Sequence, residues 1–366
     1  MELKIDKELL DALLAKVYPI VPTKSTIPAL SNILLETKDG KIYVSATDLE
    51  TFATAIGTTE IKKEGAIALN GKDLYNITRE LPSTTLEFKV DNLHAIIKCG
   101  KGKFTMAGVE KEEFPALPEL GKERKVTIPY KVLQRAIDKV MFASSTGETS
   151  GVLGGGLLDL MQDEFRLVAT DGHKLALFKR KMEGGKIANL TVANKVWHEM
   201  QRFTNGIEIV FEENKIGFYS EDMAIVSRLM EGDFPPYESV IPKDNDKMLV
   251  VSRDELTLAI RRALVFTPDI SRLIKLKLKS NTLSVEATSE TGEAKEDISC
   301  KYEAEEFEIA YNGSYLLNVL GKIESDEVKF LFKDPNSAAI ITSADSSESE
   351  KQEEETTYLL MPIRLE

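Results

Sequence analysis

The sequence predicts an α+β protein built from three tandem copies of one unit. Two observations carry this: a strand-plus-helix motif recurs at a fixed spacing, and alternating apolar and polar stretches fill the intervals. The motif reads LKIDKELLDALLAKV from Leu3, VTIPYKVLQRAIDKV from Val126 and LVVSRDELTLAIRRA from Leu249, 123 residues apart each time with no gap. Leu10, Leu14 and Val17 fall at the i, i+4 and i+7 positions of one helix face, as do Leu133, Ile137 and Val140, and Leu256, Ile260 and Ala263. A basic residue precedes the last of each set: Lys16, Lys139 and Arg262. Asp6 and Ser252 are expected N-caps, and Pro129 suits a helix start.

A second helix is expected about seventy residues into each unit: GKDLYNITREL from Gly71, NKVWHEMQRF from Asn194 and NGSYLLNVLGKI from Asn312. Half-buried strands are expected between the helices, in NILLETKDGKIYVSATDLE, GGLLDLMQDEFRLVATDGH and LIKLKLKSNTLSVEATSE. An Ala-Thr pair falls at Ala46, Ala169 and Ala287, and Phe-Pro recurs at Phe114-Pro115 and Phe234-Pro235. The domains are therefore expected at 1–122, 123–246 and 247–366. A chain of 366 residues is long enough for two to three domains at about 150 each. Duplication sometimes places an enzyme site between repeats, so repetition alone leaves function open.

Composition narrows the choice. Hydrophobic residues at 42% and charged residues at 29% suit a soluble globular protein. No apolar run is long enough to span a bilayer. The start, Met1-Glu2-Leu3-Lys4, lacks the layout of a signal peptide. Cys99 and Cys300 sit in strand-like stretches and read as reduced thiols in the cytoplasm. The net charge of −13 argues against nucleic acid, whose phosphates are bound by Lys and Arg. The distribution reverses that inference. The helical segments 7–18, 72–80, 130–141, 194–203, 253–264 and 313–323 together carry +5, which leaves −18 for the rest of the chain. Helices sharing one surface would give an acidic protein a basic face.

Chemistry-bearing motifs are sparse. The histidines are His94, His173 and His198. Asp171-Gly172-His173 has no Gly-x-Ser-x-Gly elbow beside it. Gly151-Val152-Leu153-Gly154-Gly155-Gly156 lacks the Gly-Lys-Ser/Thr and dinucleotide patterns. No Cys/His cluster has zinc spacing, and acidic runs lack the EF-hand layout. Neither a catalytic residue, a metal nor a cofactor is expected.

Asp171-Gly172-His173-Lys174-Leu175, preceded by Ala169-Thr170, resembles the ATDGHRL stretch of the bacterial beta sliding clamps, the processivity subunits of DNA polymerase III. The ending from Tyr358 to Leu365 resembles that family's C-terminal strand. So do Ile27-Pro28-Ala29-Leu30-Ser31-Asn32, Ala46-Thr47-Asp48-Leu49-Glu50, and Gly232-Asp233-Phe234-Pro235 through Ile241-Pro242. The resemblance covers the whole chain. It implies three clamp domains, each of two helices backed by antiparallel sheets. It also implies a head-to-tail homodimer, a ring of six domains with helices lining the hole and sheets running across the boundaries.

The implied function is a non-enzymatic ring that encircles double-stranded DNA without reading sequence and tethers the replicative polymerase, the clamp loader and other partners. The implied peptide pocket comprises Leu153, Thr170, Gly172, His173, Lys174, Leu175, Pro235, Val240, Asn312, Tyr315, Leu359, Leu360, Met361, Pro362, Ile363 and Arg364. The implied DNA contacts are Lys24, Lys72, Lys195 and Arg202, to which the helix pattern adds Arg79 and Arg135. The implied dimer contact places Phe104 and Met106 on one edge, Val265 and Phe266 on the other. The chain departs from well-known relatives at Ser150, Ser239 and Ser271, where bulkier or basic residues are expected. The stretch from Asp345 to Glu355 reads as an acidic solvated loop. A repeat scaffold that binds only proteins is the alternative.

Overall fold

The structure is a computed structural model that describes residues 1–118, 120–121, 124–147, 149–182, 187–203, 206–268, 270–290, 292–344 and 353–364. The expected boundary at 122–123 lies outside them, as does most of the acidic stretch, 345–352.

The first repeat runs β1 (Glu2–Asp6), α1 (Lys7–Val17), β2 (Asn32–Lys38), β3 (Lys41–Thr47), β4 (Thr51–Thr58), β5 (Glu60–Lys63), β6 (Gly65–Asn70), α2 (Gly71–Glu80), β7 (Thr85–Asp91), β8 (His94–Cys99) and β9 (Gly102–Val109). The second runs β10 (Lys125–Ile128), α3 (Tyr130–Val140), β11 (Gly155–Leu160), β12 (Glu164–Thr170), β13 (Lys174–Lys181), β14 (Ala188–Ala193), α4 (Asn194–Glu199), β15 (Ile207–Phe211), β16 (Lys215–Tyr219) and β17 (Met223–Arg228). The third runs β18 (Lys247–Ser252), α5 (Arg253–Ala263), β19 (Leu273–Lys279), β20 (Thr282–Ser289), β21 (Gly292–Tyr302), β22 (Phe307–Asn312), α6 (Gly313–Leu320), β23 (Glu327–Phe332), β24 (Ala339–Ser343) and β25 (Glu354–Leu360).

The helices form where apolar periodicity dictates. All nine residues of the first-helix faces are buried, from Leu14 at 0% exposure to Ile137 at 3%. Each fully buried Leu or Ile among them contributes about 1.5–3 kcal/mol relative to exposure. Ser252 caps α5 by accepting from the Glu255 N–H at 3.4 Å. Asn70 and Asn312 cap α2 and α6 in the same way. Asp6 does not cap α1: its carboxylate instead accepts from the Thr85 hydroxyl at 2.8 Å. The second helix opens on Gly71 and Gly313 because it presses onto the preceding sheet. A β-carbon on Gly71 would meet Ile33 at 3.0 Å, and one on Gly313 would collide with Ile274. The second helix of the middle repeat is short, giving way after Glu199 to a 3-10 turn at Met200–Arg202.

The described residues form two compact units, and the middle repeat contributes to both. Met1–Gln134 with Lys195–Leu229 carries a sheet ordered β10-β15-β16-β17-β4-β3-β2-β6-β9-β8-β7-β1-β5. Arg135–Asn194 with Met230–Glu366 carries one ordered β14-β11-β12-β13-β25-β24-β23-β18-β21-β20-β19-β22. Each sheet crosses from one repeat to another at a single antiparallel join. In the first, β17 pairs with β4, from Met223 opposite Ala55 to Ser227 opposite Thr51. In the second, β25 pairs with β13, from Lys174 opposite Leu360 to Arg180 opposite Glu354. Both joins set the last strand of one repeat beside the fourth strand of the repeat before it. Two strands of those types remain, β9 and β21. Among the described residues, 102–107 of β9 pair only with β8, and 292–299 of β21 only with β20.

Candidate partner-binding site

The join between β13 and β25 shapes an apolar cleft. Strand alternation sends Leu175 and Leu177 of β13, and Leu359 of β25, to one face, where they pack with Leu157, Val168 and Tyr237. Phe234, Ile241 and Ile340 close around this cluster. Above it opens a cleft of about 270 Å³ lined by Leu153, Thr170, Gly172, His173, Lys174, Leu175, Pro235, Pro236, Tyr237, Val240, Ala338, Leu359 and Met361. Val240 at 55% and Met361 at 46% are exposed apolar side chains at the site. Such clefts take up apolar side chains of a ligand, and Met adapts to varied shapes.

The β12–β13 loop supplies the polar corner. Asp171 Oδ1 accepts from the N–H groups of His173 and Lys174, both at 2.9 Å. The other carboxylate oxygen pairs with the buried Lys174 ammonium, which also lies 4.4 Å from the centre of the Tyr315 ring. Burial alone would push the Asp171 carboxyl up. The Lys174 ammonium and the two N–H donors outweigh burial and hold it below its ordinary range. Gly172 takes φ +87° at the loop tip, a conformation natural to glycine.

The opposite wall is anchored by Tyr237. Its hydroxyl donates to the buried Asp159 carboxylate at 2.5 Å and accepts from Arg166 at 2.9 Å. Burial and the neighbouring carboxylate push the phenol well above its ordinary value, against the opposing pull of Arg166. This fixes an aromatic ring at the cleft edge without placing a free charge there.

Not every expected pocket residue lines this cleft. Leu360 is fully buried on the other face of β25, the face of Tyr358, because adjacent strand residues point to opposite sides. Asn312 is occupied as the α6 cap and donates to the Ser271 carbonyl at 3.3 Å. Tyr315 stands behind Lys174 and stacks on His173, with ring centres 6.3 Å apart. The tail beyond β25 is stitched by the Met361 N–H to the His173 carbonyl at 2.9 Å and the Ile363 N–H to the Ala310 carbonyl at 2.8 Å. Pro362, Ile363 and Arg364 thereby run past the cleft towards β22. Pro236, Tyr237 and Ala338 line it without having been singled out in sequence. The Pro-Pro-Tyr that follows Phe234 was a readable signal for the first two; Ala338 had none. Ser150 bonds to Ser145 and Gly147, and Ser239 to the Pro236 carbonyl, so both hydroxyls are engaged locally.

All six candidate DNA contacts are exposed. Among the described residues, Lys24 and Lys72 have no ion-pair partner, and Arg79 lies 5.5 Å from the Tyr75 ring centre. Lys195 pairs with Asp48, Arg202 with Glu199 and the Ala15 carbonyl, and Arg135 with Glu354. Glu354 belongs to β25, so the acidic stretch yields to strand at its end. Phe104 and Met106 lie half-buried on β9, at its one-sided stretch; Val265 is 74% exposed just after α5. Phe266 lies 3.2 Å from where a β-carbon on Gly292 would stand, at the start of β21. Among the described residues, no cluster of His, Cys, Asp and Glu could hold a metal, and no helix is long and apolar enough to cross a membrane.

The fold and cleft together define a class: a tandem-repeat protein whose sheets continue from repeat to repeat and whose repeat junction forms an apolar cleft. Comparison with known proteins makes this specific. Family models for the N-terminal, central and C-terminal domains of the DNA polymerase III beta subunit match residues 1–118, 127–236 and 238–364. The beta sliding clamps of Caulobacter vibrioides and Pseudomonas putida are each 31% identical to the chain, with both chains covered in full. A crystal structure of the Pseudomonas aeruginosa sliding clamp bound to griselimycin superposes with a TM-score of 0.94 at 29% identity, again over all of both chains. The Thermotoga maritima beta subunit gives 0.92 at 27%. The chain belongs to the DNA polymerase III beta subunit family, the beta sliding clamps.

Proposed function

We propose that this chain is a DNA sliding clamp. Two copies close head to tail as a ring of six repeats, the ring encircles duplex DNA, and the cleft tethers the replicative polymerase, the clamp loader and other partners through short apolar segments. The repeats divide at 1–122, 123–246 and 247–366. The chain works in the cytoplasm and catalyses no reaction.

The observation that carries this reading is the pattern of joins. Each internal join pairs a last strand with a fourth strand, and one of each type is left with a one-sided stretch. A second copy placed head to tail supplies the missing partner at both ends, so that neither of these stretches stays open. Val265, 74% exposed on the Leu264–Phe266 turn that packs against β21, then meets apolar partners such as Phe104 and Met106 on β9. The cations of the repeated helices contact phosphates in water and leave the bases unread, which permits sliding. Arg135 and Lys195, already paired with carboxylates, contribute less than Lys24 and Lys72.

Loading onto nicked circular DNA by a clamp loader tests this. A clamp co-elutes with the circle and is released when the circle is cut. A scaffold that binds only proteins would never co-elute, and an adhesive DNA-binding protein would stay on the cut product.

A further inference from the structure

The first unit contains a counterpart of the cleft, hydrogen bond by hydrogen bond. In the β3–β4 loop Thr47 Oγ1 donates to the Thr51 carbonyl at 2.9 Å and accepts from the Leu49 N–H at 2.9 Å. Asp48 Oδ1 accepts from the N–H groups of Glu50 at 3.2 Å and Thr51 at 2.8 Å. In the β12–β13 loop, 123 residues on, Thr170 Oγ1 donates to the Lys174 carbonyl at 2.7 Å and accepts from the Gly172 N–H at 3.1 Å. Asp171 repeats the role of Asp48 there. The closing strand repeats as well: the Arg228 N–H donates to the Glu50 carbonyl at 3.0 Å, as the Met361 N–H donates to that of His173 at 2.9 Å. At this second junction a cavity of about 320 Å³ opens between Leu49, Phe52, Pro115 and Val226, and is also lined by Lys215 and Arg228.

Two features separate this cavity from a leftover of duplication. Leu49 holds φ +76°, where its counterpart is Gly172, so a side chain is kept in a conformation that disfavours it. That side chain is 40% exposed at the cavity, and Leu117 nearby is 40% exposed too. The charge also differs. In the first cleft Lys174 is neutralised by Asp171. Among the described residues Lys215 and Arg228 have no ion-pair partner, and Glu50 is the one carboxylate in the lining.

We propose that this second cleft binds a short extended segment of a partner protein that sets apolar side chains beside a carboxylate. The apolar wall takes the former, and Lys215 and Arg228 take the latter. The proposal rests on reading the first cleft as a peptide site.

Methyl NMR of the full-length chain tests it with two synthetic peptides, Glu-Leu-Phe-Leu-Glu and Lys-Leu-Phe-Leu-Lys. Leu175 and Leu359 methyls report the first cleft, and Val226 methyls the second. The acidic peptide is expected to shift Val226 at least tenfold more tightly than the basic one. Leu49→Gly and Arg228→Glu should each weaken that response at least fivefold and leave the first cleft unchanged. Because glycine suits the loop, Leu49→Gly should not lower Tm. Shifts at Leu175 and Leu359 without any at Val226 would overturn this proposal alone, and silence in both clefts would overturn both readings. Equal response to the two peptides, or a Val226 shift that follows protein concentration without peptide, would also overturn it, the latter by assigning the surface to a second copy.

Discussion

Asp171 ties the corner of the cleft together, binding two backbone N–H groups and the Lys174 ammonium at once. Its carboxyl is held below the ordinary value of 3.8. A carboxylate whose folded value lies below its unfolded value stabilises above the unfolded value and loses that contribution as pH falls through the folded one. Asp171→Asn should therefore lower stability at pH 7 by about 1–3 kcal/mol. The gap to the parent should close as the pH drops below about 4, read as Tm against pH for both proteins. Tyr237 makes a second case. Tyr237→Phe removes the hydroxyl between Asp159 and Arg166 and leaves the ring. Denaturant unfolding should show a loss of about 1–3 kcal/mol, while an apolar peptide binds the cleft unchanged. Asp159 then keeps the Asn189 carboxamide, 3.0 Å away, as a partner.

At the scale of elements, two periodicities did most to make the fold legible. The i, i+4, i+7 faces of α1, α3 and α5 are buried as read, and the alternating stretches became β2–β3, β11–β12 and β19–β20. The pocket was legible where it follows a contiguous motif, Thr170 to Leu175. It was less so where three-dimensional neighbours decide: Leu360 faces inward by strand alternation, and Ala338 enters from a distant hairpin. Ion pairing is equally invisible in sequence, since Arg135 meets Glu354, 219 residues away. Asp6 and Ser252 look alike as caps, and only Ser252 acts as one, because Thr85 claims Asp6. Replacing Val265 and Phe266 with aspartate should give a folded monomer, with unchanged circular dichroism and half the mass by light scattering. A dimer that survives these changes would remove the β21 edge from the subunit contact.

Across the whole chain, a net charge of −13 opposes a polyanionic partner. Enclosure provides the answer: a closed ring need not bind tightly to stay on DNA, and tight binding would stop it sliding. Contacts to phosphate weaken with salt because binding releases condensed counterions, whereas a closed loop threaded on a closed circle has no end to leave by. The most direct test is therefore retention measured against salt on two substrates, loaded clamps on closed circular DNA and clamps on linear DNA with free ends. Clamps are expected to leave linear DNA steeply as salt rises and to persist on circles across the same range. Equal loss from both would contradict enclosure.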